Sequence, residues 1–98
     1  MYALFATWTL DPTRDAASSR QRQLEEQLVP LVRHQPGFVG GTWCAGIDEA
    51  RGYSYLLWTT EKAARGFGDY VRTSLSARVV GARLESLLVA HVLVAMEA

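Results

Sequence analysis

The segment Pro36–Trp43 limits the fold of this chain more than any other feature. Pro36-Gly37 ends an amphipathic helical pattern, and the residues after it begin an apolar strand pattern. One strand pattern precedes that helix, and a second strand, a second helix and a last strand follow it. The order βαββαβ predicts a ferredoxin-like α+β domain, with a four-stranded antiparallel sheet and two helices on one face.

Hydrophobic periodicity sets the expected bounds of these elements. The predicted strands cover 2–10, 38–45, 53–60 and 85–95, and the predicted helices cover 16–33 and 61–72. Pro30 should kink the first helix near Glu26, because proline donates no backbone hydrogen bond. Gly40 and Gly41 predict a bulge or a close approach of another backbone. The segment 73–84 has no clear pattern.

Length and charge limit the classes of function. With 98 residues, the chain is expected to form a single domain over 1–98. Its ten acidic and ten basic residues give no electrostatic footprint for nucleic acid or for an anionic membrane. There is no apolar run long enough for a membrane span, the start does not resemble a signal peptide, and Cys44 has no partner for a disulfide. These features favour a cytoplasmic protein.

The strand patterns are apolar on both faces. In the first strand, Leu4 and Trp8 lie on one face and Phe5 on the other. Two helices cover only one side of a four-stranded sheet, and a large exposed apolar face is not tolerated in a monomer. We therefore expect a homodimer in which two sheets pack face to face.

The motifs resemble those of the antibiotic biosynthesis monooxygenase family of dimeric α+β barrels. The resemblance rests on Pro36-Gly37-Phe38-Val39 at the end of the first helix. It also rests on the run Tyr55 to Ala64, where a strand ends in Trp58 and Thr-Glu-Lys-Ala opens a helix. It implies a homodimeric barrel with a ligand cavity between the sheet and the helices. For the activity, it implies cofactor-independent monooxygenation of an aromatic or polyphenolic small molecule.

The chain departs from the patterns of the family's known enzymes. Haem-degrading members need Asn near the end of the first strand, with Trp and His on the second helix. This chain contains no Asn; Thr7 stands roughly at the Asn place and Tyr70 roughly at the Trp place. No histidine lies between His34 and His91. The pattern therefore argues against the haem breakdown of those members, and we predict no cofactor. It also leaves open a non-catalytic dimeric barrel that binds a hydrophobic metabolite or has a structural role.

Three residues are candidates for catalysis. His91 stands in the middle of the predicted last strand and has the pKa range of a general base toward a phenol. Tyr55 and Tyr70 offer hydroxyls to a substrate oxygen. The alternative for each is structural, since a buried His or Tyr requires only a hydrogen-bond partner.

The candidates for substrate binding are mostly aromatic: Thr7, Trp43, Tyr53, Trp58 and Phe67. Tryptophans on different strands suit a flat aromatic ligand, but they are equally good anchors of a core or an interface. Tyr53 and Tyr55 share a strand face, so one cavity could hold both. Cys44 is interpreted as a small core residue. Two distant histidines and one cysteine do not form a metal site.

Overall fold

The computed structural model describes all residues from 1 to 98, and it contains the predicted order of elements. The strands pair antiparallel in the order β2-β3-β1-β4, which is the split βαβ arrangement. The elements are β1 (Tyr2–Leu10), α1 (Arg14–Gln23), a π-helical turn (Leu24–Leu28), α2 (Val29–Arg33), β2 (Phe38–Ala45), β3 (Arg51–Trp58), α3 (Glu61–Thr73), a 3₁₀ turn (Leu75–Arg78) and β4 (Ala82–His91).

The first helix begins two residues before its predicted start. Thr13 is the N-cap, and its Oγ1 accepts a hydrogen bond of 3.4 Å from the amide of Ala16. The helix runs on to Arg33, but it contains a π-helical turn at Leu24–Leu28. Pro30 has no N–H to donate to the carbonyl of Glu26, so the helical hydrogen bonding is interrupted in that region. The deviation predicted near Glu26 is therefore present, as a wider turn.

The predicted bounds of the last two strands are wrong by a few residues. β3 covers Arg51–Trp58 instead of 53–60, because Gly52 still pairs with both Trp8 and Ala45. β4 covers Ala82–His91 instead of 85–95. Its only partner is β1, and that pairing runs from Leu10 opposite Ala82 to Tyr2 opposite His91. The residues after His91 therefore have no strand beside them, apart from one bond of Val92 to Met1.

The core lies between the helices and one face of the sheet. Alternate residues of β1 and β3 point into it, among them Leu4, Trp8 and Leu56. Phe67 and Val71 of α3 pack on the same face, as do Leu28 and Val32 of the first helix. Both helices therefore cover one side of the sheet, as predicted. None of the helices is both long and apolar enough to cross a membrane.

The other face of the sheet is uncovered in the single chain. Phe5, Tyr53 and Leu88 are 39%, 40% and 54% exposed there. Cys44 is also exposed on this face, opposite Tyr53, so its interpretation as a core residue is wrong for the isolated chain. This face, from here on the open face, combines an apolar centre with a polar end described below.

Candidate functional site

A cavity of about 210 Å³ lies between the first helix and the helix-covered face of the sheet. Of the 17 residues that line it, 14 are hydrophobic. The walls come from the helix (Ala17, Arg20, Gln21, Leu24, Leu28), from the strands (Trp8, Leu10, Trp43, Cys44, Ala45, Gly52, Tyr53, Leu56, Ala82) and from Phe67, Leu75 and Val79. An apolar pocket with few polar groups is the ordinary form of a small-molecule site.

Two tryptophans stand on the strand side of this cavity. Trp8 on β1 and Trp43 on β2 are both neighbours of Ser54, which is buried on β3 between those two strands. The indole Nε1 of Trp8 donates to the Ser54 hydroxyl at 3.3 Å. The polar atom of Trp8 is thereby satisfied, which leaves its ring free to serve as an apolar wall. Trp43 was among the predicted binding residues. Ser54 was not, because no local sequence pattern indicates that its hydroxyl accepts a hydrogen bond from Trp8.

Arg20 is the one charged side chain that lines the cavity. Its Nη1 donates to the carbonyl oxygen of Gly81 at 3.1 Å, which links the first helix to the start of β4. Arg20 is half-buried, and it was not among the predicted site residues. Its neighbour Gln21 also lines the cavity and donates to Glu25 at 2.7 Å.

The π-helical turn forms part of the cavity wall. Leu24 and Leu28, its first and last residues, both line the cavity, and Leu28 belongs to the buried core. π-Helical turns are rare and occur frequently at functional sites. The local irregularity required by Pro30 thus lies beside the cavity.

A second, more open cavity of about 730 Å³ lies at the opposite end of β3. It is lined by Leu31, Gln35, Pro36, Gly37, Trp58, Thr59, Thr60, Lys62, Ala63, Gly66, Phe67 and Tyr70. Phe67 lines both cavities, and its ring therefore forms part of the partition between them. The Tyr70 hydroxyl is already hydrogen-bonded to the guanidinium of Arg78.

The structure divides the predicted site residues among three places. Trp43, Tyr53 and Phe67 line the first cavity, and Trp58, Phe67 and Tyr70 line the second. Thr7, Tyr55 and His91 line neither of them. Trp8, and not Thr7, points toward the helices, because the even-numbered residues of β1 are the ones buried against the core.

His91 lies at the end of its strand and not in the middle, so its predicted place is wrong. It is exposed, and its ring stacks on Tyr2 with 5.0 Å between centroids and 25° between planes. The error follows from the bounds of β4, which ends at His91, four residues before its predicted end. His91 does not line the first cavity, so its imidazole is not placed beside a ligand there.

Tyr53 and Tyr55 share a strand face as predicted, but that face is the open one. Tyr53 borders the first cavity from β3, and its hydroxyl donates to the carboxylate of Glu49. This hydrogen bond holds the proton on the phenol and raises the pKa of Tyr53 above its usual value. Tyr53 is therefore a neutral phenol at pH 7, and it is not suited to act as a base.

A polar cluster occupies one end of the open face. Glu85 accepts a hydrogen bond from Thr9 at 2.7 Å and pairs with Arg51 at 3.3 Å. The Thr9 hydrogen bond, followed by the charge of Arg51, lowers the pKa of the Glu85 carboxyl. Thr7 lies beside this cluster, hydrogen-bonded to Ser86 at 2.5 Å. The predicted binding residue Thr7 therefore belongs to the open face and not to a cavity.

The residues around the first cavity do not fit a haem iron. Iron in haem proteins takes an axial His, Cys, Met or Tyr. His34 and His91 lie outside the cavity, the Cys44 side chain lies on the open face with Tyr53, and the Tyr53 hydroxyl is bound to Glu49. No group of three His, Cys, Asp or Glu side chains is placed to hold a metal ion.

Comparisons with known proteins gave matches among solved structures alone. No family model and no curated protein matches the chain. A monooxygenase from the gene ActVA-Orf6 of Streptomyces coelicolor, solved with the ligand nanaomycin D, is 19% identical with a TM-score of 0.71, over 99% of this chain and 91% of that one. A mutant form of MhuD, solved with two manganese protoporphyrin IX molecules per active site, is 17% identical with a TM-score of 0.72, over 100% of both chains.

A third similar structure is a proposed antibiotic biosynthesis monooxygenase of Deinococcus radiodurans. It is 12% identical with a TM-score of 0.69, over 100% of this chain and 98% of the other. These likenesses extend over the whole chain, and they confirm the resemblance to the antibiotic biosynthesis monooxygenases at the level of the fold. At such identities, activity has to be argued from the site itself.

Proposed function

We propose that the chain binds a small electron-rich aromatic compound, a phenol or polyphenol, in the first cavity and oxygenates it without a cofactor. The observation that carries this proposal is the apolar cavity of about 210 Å³ with Trp8 and Trp43 on its walls and one cation, Arg20, beside it. An apolar cavity of about 150 Å³ is enough to bind benzene. A compound of one or two rings therefore matches this space.

Arg20 is the residue of the cavity that favours a phenolic ligand. A guanidinium near a phenol favours the phenolate, because the opposite charge lowers the pKa of the phenol. A phenolate can transfer one electron to dioxygen, after which the two radicals combine at a ring carbon. The resulting hydroperoxide loses water to leave a quinone, so that one phenol and one O₂ give one quinone and one H₂O. The substrate supplies the electrons, and the protein contributes binding, orientation and stabilisation of the anion.

One solved structure with the same fold supports this proposal. The Streptomyces coelicolor structure with this fold is a monooxygenase with nanaomycin D bound. That observation makes oxygenation the first reaction to assay.

We predict that Arg20→Gln weakens the binding of a phenolic ligand by about ten-fold, the effect of losing a hydrogen bond to a charged group. Binding is measured by quenching of tryptophan fluorescence across a panel of naphthols, dihydroxynaphthalenes and quinones. The turnover of compounds that bind is measured as oxygen consumption, which should fall in the same variant.

Arg22→Gln is the matched control, since Arg22 is exposed on the same helix and lines neither cavity. It should leave both measurements unchanged. Equal affinity of the Arg20→Gln variant and the wild type for every phenol would remove Arg20 from the site, and no quenching by any compound would refute the proposal.

The second candidate function is non-catalytic binding of a hydrophobic metabolite in the same cavity. It is favoured by one observation: the cavity wall carries no His, Asp or Glu that could act as a general base. Saturable quenching without oxygen consumption by any bound phenol would support this function over oxygenation.

We also propose that the open face is covered by a second copy of the chain in a two-fold dimer. Phe5 and Leu88 are direct partners across β1 and β4, and both are exposed at the centre of this face. Tyr55 packs against Phe5 with 5.1 Å between ring centroids and extends the apolar area onto β3. A two-fold axis through such a patch would let each apolar centre bury the other.

The dimer prediction is tested by placing a charge at the centre of the open face. Leu88→Glu should convert a species of twice the 10.9 kDa chain mass into the single chain, measured by sedimentation at micromolar concentration. A buried unpaired carboxylate is costly, whereas the exposed side chain in a single chain is not. Ser18→Glu on the exposed surface of α1 is the control and should leave the dimer intact. A wild-type chain that sediments at 10.9 kDa would contradict the dimer.

A further inference from the structure

We propose that the second cavity is a separate binding site for a small carboxylic acid with a flat aromatic body. The cavity measures about 730 Å³ and lies between the turn at Pro36-Gly37 and the first half of α3. Only Phe67 is common to its lining and that of the first cavity. The proposal is therefore independent of the function argued for the first cavity.

An aromatic floor gives this site its preference for a flat ligand. The rings of Trp58 and Phe67 lie 5.1 Å apart between centroids at an angle of 32°. The ring of Tyr70 follows at 5.7 Å from Phe67. Trp58 and Phe67 are only 1% and 6% exposed and form the closed base of the cavity. The half-buried ring of Tyr70 is therefore the aromatic surface on which a flat ligand can pack in offset or tilted geometry.

Lys62 supplies the charge that selects an acid. It is the single lysine of the chain, it lines this cavity, and it takes part in none of the three ion pairs of the structure. No Asp or Glu lines the cavity, so the cationic charge of Lys62 is not compensated within it. An anionic ligand complements this charge, and a cationic one would be repelled.

A further feature of the wall is its one glycine on α3. Gly66 lies in the interior of α3, where it costs about 1 kcal/mol relative to alanine. A Cβ at Gly66 would meet nothing within 4 Å, so packing within the chain does not require glycine there. The glycine instead keeps the cavity open on the side of α3.

The test uses naphthalene-2-carboxylate as the probe, with the neutral naphthalene-2-carboxamide as its matched control. Binding to the full chain is followed by ¹H–¹⁵N NMR, which reports the site and the affinity together. The carboxylate should shift the amides of 60–66 and leave those of 17–24, beside the first cavity, unchanged. Lys62→Gln should weaken binding of the carboxylate about five-fold, as expected for an exposed ion pair, and should leave binding of the carboxamide unchanged.

Arg65→Gln is the matched charge control. Arg65 lies on the same helix, pairs with Glu61 at 2.7 Å and does not line the cavity. Gly66→Leu should fill the cavity and weaken both probes at least about ten-fold, with the chain still folded by its amide spectrum. Equal losses in Lys62→Gln and Arg65→Gln, shifts confined to 17–24, or no binding at millimolar concentration would each overturn the proposal. Of these outcomes, only shifts confined to 17–24 bear on the first cavity, because they would show that the acid binds there instead.

Discussion

Replacing Trp58 with alanine is expected to lower the free energy of unfolding by about 4 kcal/mol, the usual cost of removing a large aromatic side chain from a core. Trp58 is 1% exposed and ends β3 beneath both helices. Its ring meets Phe38 edge-on at 5.5 Å and Phe67 at 5.1 Å between centroids. It thereby joins β2 to α3, and chemical denaturation with urea measures the loss.

Trp58→Phe is the informative companion to this variant. Phenylalanine keeps most of the aromatic contact and removes the Nε1 donor, which has no partner in the structure. The loss of packing is therefore offset by relief of an unsatisfied buried group, and the net cost should be near 1 kcal/mol. A Trp58→Phe variant that is destabilised as strongly as Trp58→Ala would mean that the indole donor has a partner in solution.

Gly41→Ala is expected to destabilise the protein by about 3 kcal/mol, at the upper end for an overpacked site. A Cβ at Gly41 would stand 2.2 Å from the carbonyl oxygen of Tyr55 and 2.9 Å from the Cα of Leu56. Both are backbone atoms of the neighbouring strand β3, so no side-chain rotation can relieve the clash. β2 would have to separate from β3 at the point where Gly41 pairs with Leu56.

Gly40→Ala is the matched control, one residue earlier on the same strand. A Cβ there would meet nothing within 4 Å, and the backbone φ of Gly40 is not in the left-handed region. The change should alter the free energy of unfolding by no more than about 0.5 kcal/mol. Thermal unfolding of the two variants compares them directly. Equal stabilities would contradict the close approach of β3 at Gly41.

Gly40 and Gly41 also show how much of the structure a local sequence pattern can predict. The pair Gly40-Gly41 predicted a bulge or a close backbone approach, and the structure has both. The register of β2 against β3 shifts between Phe38 and Gly40, and β3 comes close at Gly41. The sequence did not show which of the two glycines lies close to β3, because this depends on the pairing with a strand ten or more residues away.

The start of α3 and the end of the first helix were equally local and equally predictable. Thr60 caps α3 through a hydrogen bond of 3.1 Å from the amide of Ala63, at the place where the run Thr-Glu-Lys-Ala predicted a helix start. Gly37 adopts φ of 84° in the turn that ends the first helix, a conformation that favours glycine. The ends of β4, by contrast, were predicted wrongly, since hydrophobicity continues past His91 but the partner strand does not.

Among the candidate site residues, too, residue type was predictable from the sequence, and contacts with distant segments were not. Trp43, Phe67 and Trp58 were identified as candidates from residue type alone, and each lines a cavity. Arg20 was missed, because helical periodicity shows which face a residue occupies but not that β4 begins beside it, where Gly81 accepts its hydrogen bond. The place of His91 within its strand was predicted wrongly for a related reason, since it depended on the pairing of β4 with β1.

By itself the sequence determined the order of the elements, most of their bounds and the resemblance to a fold. Those follow from interactions between residues close in the chain: caps, turns and the alternation of apolar side chains. The tertiary structure alone decided that Trp8 faces the helices and Thr7 the open face, and that two cavities lie on either side of Phe67. Both depend on strand register and on helix placement, which are set by contacts between distant segments.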